Sequence, residues 1–362
     1  MRKWLLTATT PIVLVVLYLA LAPVPIDPVT WNAPIDEGLV DPFDSNNLLS
    51  PARGIDLGDH EGPEDAAIGH DGFLYVTTSG GDVLRVHPRG NQLGVFAHLG
   101  GRPLGIEAAA DGALLVANAY LGLQRISSDG HVSTLVDEID DKPLVYANDV
   151  AVAGDGTVYL TESSTRFGAE QYGGTYAASL LDILEHGGHG RVIAFDSAAQ
   201  RSRVLVDGLN FANGISISDD ESYLLVNETG HYRVLRYWLL GPLTGQVEIL
   251  IENLPGFPDN MNKGDHGRFW IGLIAPRNTL LDRFSNRPFV RRVMQRLPAA
   301  LRPQAEPSSH VIAIDGNGVV LMNLHDPAAR FPMLTGVVET RDSLYLTTLV
   351  GNQLPRLDKR DL

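Results

Sequence analysis

A chain of 362 residues with 43 acidic against 28 basic side chains, a formal charge of −15, offers no basic face of the kind nucleic acid requires. It contains no cysteine, which excludes disulfides and thiol chemistry and leaves stability to the core and to any bound metal. With 37 glycines and 22 prolines it is rich in turns, which suits an all-β fold better than a helical one.

Met1-Arg2-Lys3 precedes an apolar run from Trp4 to Ala22, close to the roughly 20 residues a bilayer span takes. Residues 1–22 are therefore expected to be an uncleaved transmembrane signal anchor. Arg2 and Lys3 would hold the N-terminus in the cytoplasm and leave the rest outside it. A cleaved signal peptide is the alternative, because Ala20-Leu21-Ala22 resembles a small-residue cleavage site. Residues 23–50, punctuated by Pro23, Pro25, Pro28, Pro34 and Pro42, read as an extended stalk.

From residue 51 to 362 one grammar recurs: a short apolar strand, an Asp-centred turn, then a strand rich in Leu, Val and Tyr. The repeats begin near Pro63, Pro103, Ala147, Ala212, Pro258 and Leu334, with turn residues Asp71, Asp111, Asp155, Asp220 and Asp342 in five of them. Asp and Asp-Gly in such places close hairpins, so these carboxylates are structural. Further strands within each unit make about four per repeat at roughly 40-residue spacing, the pattern of a β-propeller. The expected fold is an all-β six-bladed β-propeller behind an N-terminal transmembrane helix. The sixth repeat ends after its third strand, near Leu357, and the apolar stretch Arg53 to Leu57 is free to supply the fourth. Such a pairing would close the ring and remove an open edge.

The register identifies a set of side chains. The residues that start the innermost strands are Glu64, Leu104, Asn148, Asn213, Asp259 and Thr335, and equivalent propeller positions converge on one end of the central channel. Two carboxylates and two amides among six positions suit calcium, which takes 6–8 oxygen ligands. Zinc is disfavoured without cysteine or histidine in the ring. The innermost strand runs away from this end and the second returns to it, so the loop after the second strand opens here. Two long insertions occupy that loop, 163–190 in the third repeat and 274–309 in the fifth, and are expected to roof the channel. The second holds Arg277, Arg283, Arg287, Arg291, Arg292, Arg296 and Arg302. It reads either as a basic amphipathic element on anionic lipid or as a lid with solvated arginines. His186 and His189 lie in the first insertion, within reach of the channel mouth or on its surface.

Gly62-Pro63-Glu64, Leu181-Asp182-Ile183-Leu184-Glu185, His189-Gly190-Arg191, Phe211-Ala212-Asn213-Gly214, Leu254-Pro255-Gly256-Phe257-Pro258-Asp259-Asn260 and His325-Asp326-Pro327 occur in an order that resembles the strictosidine synthase-like family of calcium-dependent six-bladed propellers. Adipocyte plasma membrane-associated protein belongs to that family; paraoxonases and the senescence marker protein/gluconolactonase group are wider relatives. The resemblance implies calcium ligands at Glu64, Asn148, Asn213 and Asp259, with Asn260 as a paraoxonase-like fifth, and a second, structural ion at Asp65 and Asp149. Two departures stand out. Leu104 replaces a paraoxonase histidine assigned to proton transfer, and Thr335 replaces the catalytic glutamate of strictosidine synthase proper, which argues against Pictet–Spengler condensation.

The expected activity is a calcium-dependent hydrolysis of lactones or aryl esters. Asp259 would act as base or nucleophile, Asn148 and Asn213 would orient the substrate, and Glu64 would anchor the ion. The alternative is a membrane-anchored binding or scaffold propeller whose calcium is structural.

Overall fold

The structure is a computed structural model that describes residues 13–362. Six four-stranded antiparallel sheets follow one another along the chain. Their innermost strands are Ala66–Ile68, Pro103–Ala108, Ala147–Val152, Ala212–Ile217, Gly256–Lys263 and Leu334–Glu339. The sixth sheet closes as its sequence requires. Arg53–Asp56 lies antiparallel to Gln353–Asp358, with Ile55 opposite Leu354, so the start of the propeller supplies the outer strand of its last blade. The Asp turns are equally local in origin: the Oδ1 atoms of Asp71, Asp111, Asp155 and Asp220 each accept the backbone N–H two residues on.

Strand alternation builds the core between blades. In the second strand of the third blade, Val158 and Leu160 face the second blade, with Leu115 and Leu123. Tyr159, between them, faces the fourth blade, with Ile215 and Val226. Equivalent apolar clusters fill the other junctions around the ring.

Polar ties reinforce alternate junctions near the axis. Asp65 accepts the N–H of Ile106 on the next blade (3.0 Å) and the side-chain amide of Asn262 (2.9 Å). Asp149 accepts the N–H groups of Val150 and Ile215, each at 2.8 Å, and Asn262 accepts that of Val337 at 3.0 Å. The facing residue is glycine where the approach is closest. A Cβ at Gly105 would lie 2.1 Å from Asp149 Oδ1 and 2.6 Å from its Cα. Gly105→Ala is therefore expected to destabilise the fold by about 1–3 kcal/mol, read as a lower urea midpoint. An unchanged midpoint would show that the junction has slack.

The N-terminal segment is extended, as its prolines require, but it lies along the propeller rather than standing free as a stalk. Ile26 and Leu49 are buried, Val29 N–H donates to Glu185 O (2.8 Å), and Leu49 N–H donates to His325 O (3.1 Å). Before it, residues 13–21 are helical with exposed apolar side chains. No helix among the described residues is long and apolar enough to cross a membrane, and the first part of the expected anchor, 1–12, lies outside them.

Candidate functional site

Residues at or near the starts of the innermost strands meet at one end of the channel, and Glu64, Leu104, Asn148, Asn213 and Asp259 line a single cavity there. Both insertions roof it. The helix Thr175–Glu185 contributes Thr175, Tyr176, Ser179, Leu180 and Ile183, and the fifth-blade insertion contributes Arg277 and Leu281. Apolar side chains such as Leu104, Phe211 and Phe257 make up much of the remaining wall.

The amide groups in the ring have fixed orientations. Asn213 Nδ2 donates to Asp259 Oδ1 (2.6 Å) and Thr229 Oγ1 (3.1 Å), and Asn148 Nδ2 donates to Ser163 Oγ (2.7 Å). Asn260 Nδ2 donates to Glu64 O (2.9 Å) and Oε1 (3.2 Å). With their nitrogens spent on the protein, Asn148 Oδ1, Asn213 Oδ1 and Asn260 Oδ1 are buried without a hydrogen-bond partner, and so is Glu64 Oε2. Orphaned buried acceptors carry a desolvation cost of about 1–3 kcal/mol each. Four of them together, all oxygens, match the donor set of a hard cation such as calcium. Among the described residues no three His, Cys, Asp or Glu side chains gather into a metal-type group, so amide oxygens must complete any such site.

The electrostatics agree. Burial first, then the Asp259 charge, push the Glu64 carboxyl well up. Burial, with help from Asp65, lifts Asp259 to about 7, against the Asn213 hydrogen bond and the Arg102 charge. Two carboxylates held this way are short of positive charge.

The other residues singled out in the sequence fall elsewhere. Asp65 and Asp149 sit directly behind the ring with oxygens already bonded to backbone and Asn262 donors, bonds that a second ion would have to displace. Thr335 is fully buried and its hydroxyl donates to Glu64 O (2.6 Å), so the sixth blade brings no carboxylate to the cavity. His186 and His189 do not line the cavity. His186 stacks on Trp31 with its Nε2 3.1 Å from that of His231, and His189 pairs with Glu185 at 2.7 Å. Arg277, Arg291 and Arg296, expected on lipid or in solvent, are buried and bind backbone carbonyls of the N-terminal segment.

Four contributors were not singled out. Ser163 and Thr229 sit just after the ends of second strands, and Asn227 donates to Asp259 O (2.6 Å) from within one. An antiparallel partner brings second-strand ends to the ring, so the register could have found them. Arg102, two residues before Leu104, is buried with Nη1 unpartnered, and its charge acts on both Glu64 and Asp259.

The strictosidine synthase family model matches residues 148–242, and the strictosidine synthase-like N-terminal model matches 41–86. Gluconolactonase from Xanthomonas campestris shares the fold at a TM-score of 0.62 and 18% identity, over 85% of this chain and 89% of that one. Regucalcin from Agrobacterium tumefaciens, a calcium-binding protein, does so at 0.58 and 14%, over 84% and 92%. Adipocyte plasma membrane-associated protein of Salmo salar is 31% identical over 87% of this chain and 80% of its own. Arabidopsis thaliana strictosidine synthase-like 6 is 32% identical over 88% of this chain and 85% of its own. Similarity of that depth and extent, on a shared propeller, makes the chain a member of the strictosidine synthase-like family.

Proposed function

We propose that this propeller is a calcium-dependent hydrolase of lactones or aryl esters. The observation that carries the reading is the set of four partnerless buried oxygens from the first, third, fourth and fifth blades, beside one largely apolar cavity. Glu64, Asn148, Asn213, Asp259 and Asn260 would hold the ion. Bound calcium would act as a Lewis acid toward a carbonyl oxygen.

The chain's own groups account for the rest. The apolar wall orients the acyl group and excludes bulk water. Asp259 takes the proton of the attacking water as the water oxygen bonds to the acyl carbon, then returns it to the alkoxide when the acyl–oxygen bond breaks. Direct attack by its carboxylate is the nucleophilic variant of the same role. Asn148 and Asn213 are held rigidly enough by Ser163 and Thr229 to position a substrate. Arg102 adds positive potential where negative charge develops.

The apolar 13–21 stretch and the membrane-associated relatives support membrane association through the N-terminal segment; were that segment a single-pass anchor, Arg2 and Lys3 before it would put the propeller outside the cytoplasm. Any lipid contact by the fifth-blade insertion falls to its exposed Arg283, Arg287 and Phe289.

A panel of lactones and aryl acetates, assayed with calcium and with chelator, tests the activity. Turnover that chelator abolishes and calcium restores is the expected result. Tight capture of a partner with no turnover on either class would favour a scaffold whose calcium is structural.

A further inference from the structure

The roof helix Thr175–Glu185 lies between two different environments. One face supplies Tyr176, Ser179, Leu180 and Ile183 to the cavity. The other packs Ala178, Leu181 and Leu184 into a core that also holds Ile26 of the N-terminal segment and Met294 of the lid helix Pro288–Arg296. The last carbonyls of a helix have no intrahelical donor and need one from outside. Here the donors come from both neighbours. Arg291 Nη1 donates to Leu184 O (3.0 Å) and Glu185 O (3.3 Å), and Val29 N–H also donates to Glu185 O (2.8 Å).

The same guanidinium closes the triangle, with Nη2 donating to Val29 O. Arg291 is 1% exposed, and the hydrogen bonds of this buried charge all go to backbone carbonyls of the roof helix and of residues 24–31 of the N-terminal segment, the strap. A cation at a helix C-terminus also meets the negative end of the helix dipole. Two further contacts fix the strap: Asp27 N–H donates to Glu185 Oε2 (2.6 Å), and Trp31 stacks 3.9 Å from His186. His186 is the residue that caps the helix in the left-handed conformation, φ 57°.

We propose that Arg291 is a positioning residue for the cavity. It clasps the roof helix to the lid helix and to the strap, which makes residues 24–31 a working part of the substrate site. The proposal rests on the reading of this cavity as a substrate site only in its kinetic consequence. Arginine is required because its planar fork reaches three carbonyls at once, which a lysine ammonium cannot. The strap continues directly into the apolar 13–21 stretch, and Arg296 binds Leu19 O and Ala22 O there, so the clasp also joins that stretch to the roof.

Hydrogen exchange on the full chain tests the clasp without reference to activity. In Arg291→Met, amides of residues 175–185 should exchange at least about tenfold faster while blade amides keep their rates. Trp31→Ala should move the same amides the same way, and Arg291→Lys should fall between parent and Met. With an ester or lactone that the parent hydrolyses, Arg291→Met should raise KM by about tenfold and leave kcat within about twofold, because the ring residues are untouched. Should Arg291→Met fail to unfold cooperatively, the Trp31 and lysine variants carry the test. Unchanged roof exchange in these variants, or a kcat loss at constant KM, would overturn the proposal. A loosened roof in a chain whose parent turns over no substrate would uphold the clasp and defeat the hydrolase reading instead.

Discussion

Asp259→Asn should cost the protein most of its calcium affinity and its calcium-dependent turnover while leaving the metal-free fold intact or firmer. The substitution keeps the shape of the side chain and an oxygen for Asn213 Nδ2, so the ring's hydrogen bonds survive. What it removes is one of the two ring carboxylates. Deleting one partner of a buried charge pair costs about 3–5 kcal/mol, roughly 10²- to 4 × 10³-fold in affinity. Without metal the sign reverses, because the Asp259 charge also pushes the Glu64 carboxyl up and that strain disappears. Calorimetry on the purified variant should show weak calcium binding beside an apo melting temperature at or above the parent's. Parental affinity and turnover would remove Asp259 from the site.

The metal-free protein should also lose stability as pH rises, opposite to the trend of carboxylates held in ion pairs. Burial lifts Asp259 to about 7 and Asp65 to about 6, and raises Glu64 and Asp149 as well. These groups have higher pKa values folded than unfolded, so between about pH 4 and 7 the native state binds more protons and stability falls with pH. Their contribution is fully present below the unfolded values and is lost as pH passes the folded ones. For Asp259 alone, a rise from 3.8 to about 7 sets a ceiling of about 4 kcal/mol. Calcium held by Glu64 and Asp259 would displace their protons, so saturation should flatten the part of the profile that those two groups set. Metal-free melting temperatures that rise from pH 5 to pH 8 would contradict this arrangement.

Much of this architecture was readable in the chain because it repeats. Asp71, Asp111, Asp155 and Asp220 mark the same turn, and once the turns are aligned the ring falls into register without any coordinates. Even the closing strand, Arg53–Asp56, was implied by a sixth repeat one strand short. The unread parts do not repeat. Ser163, Asn227 and Thr229 support the ring with three different residue types, so only the pairing register of the second strands points to them, not a recurring residue. The docking of the strap is not legible in the sequence because its partners are remote: Asp27 meets Glu185 across 158 residues, and Arg291 meets Val29 across 262. Prolines announce an extended backbone but do not say what it lies against. The arginines of the fifth-blade insertion suffered the same way, since charge alone does not distinguish a lipid headgroup from a backbone carbonyl.

A cation on the propeller axis should show itself in the thermal unfolding of metal-free protein at pH 8. The proposed ligands come from four blades, so one ion would tie the ring across its axis, and a ligand that binds only the folded state at a hundredfold excess over Kd adds about 2.7 kcal/mol. The melting temperature should rise with calcium and return with chelator. Magnesium should move it far less, because its smaller octahedron fits a ring of amide and carboxylate oxygens poorly. Coincident melting curves in calcium and in chelator, on protein shown to be metal-free at the start, would mean that the ring holds no such ion.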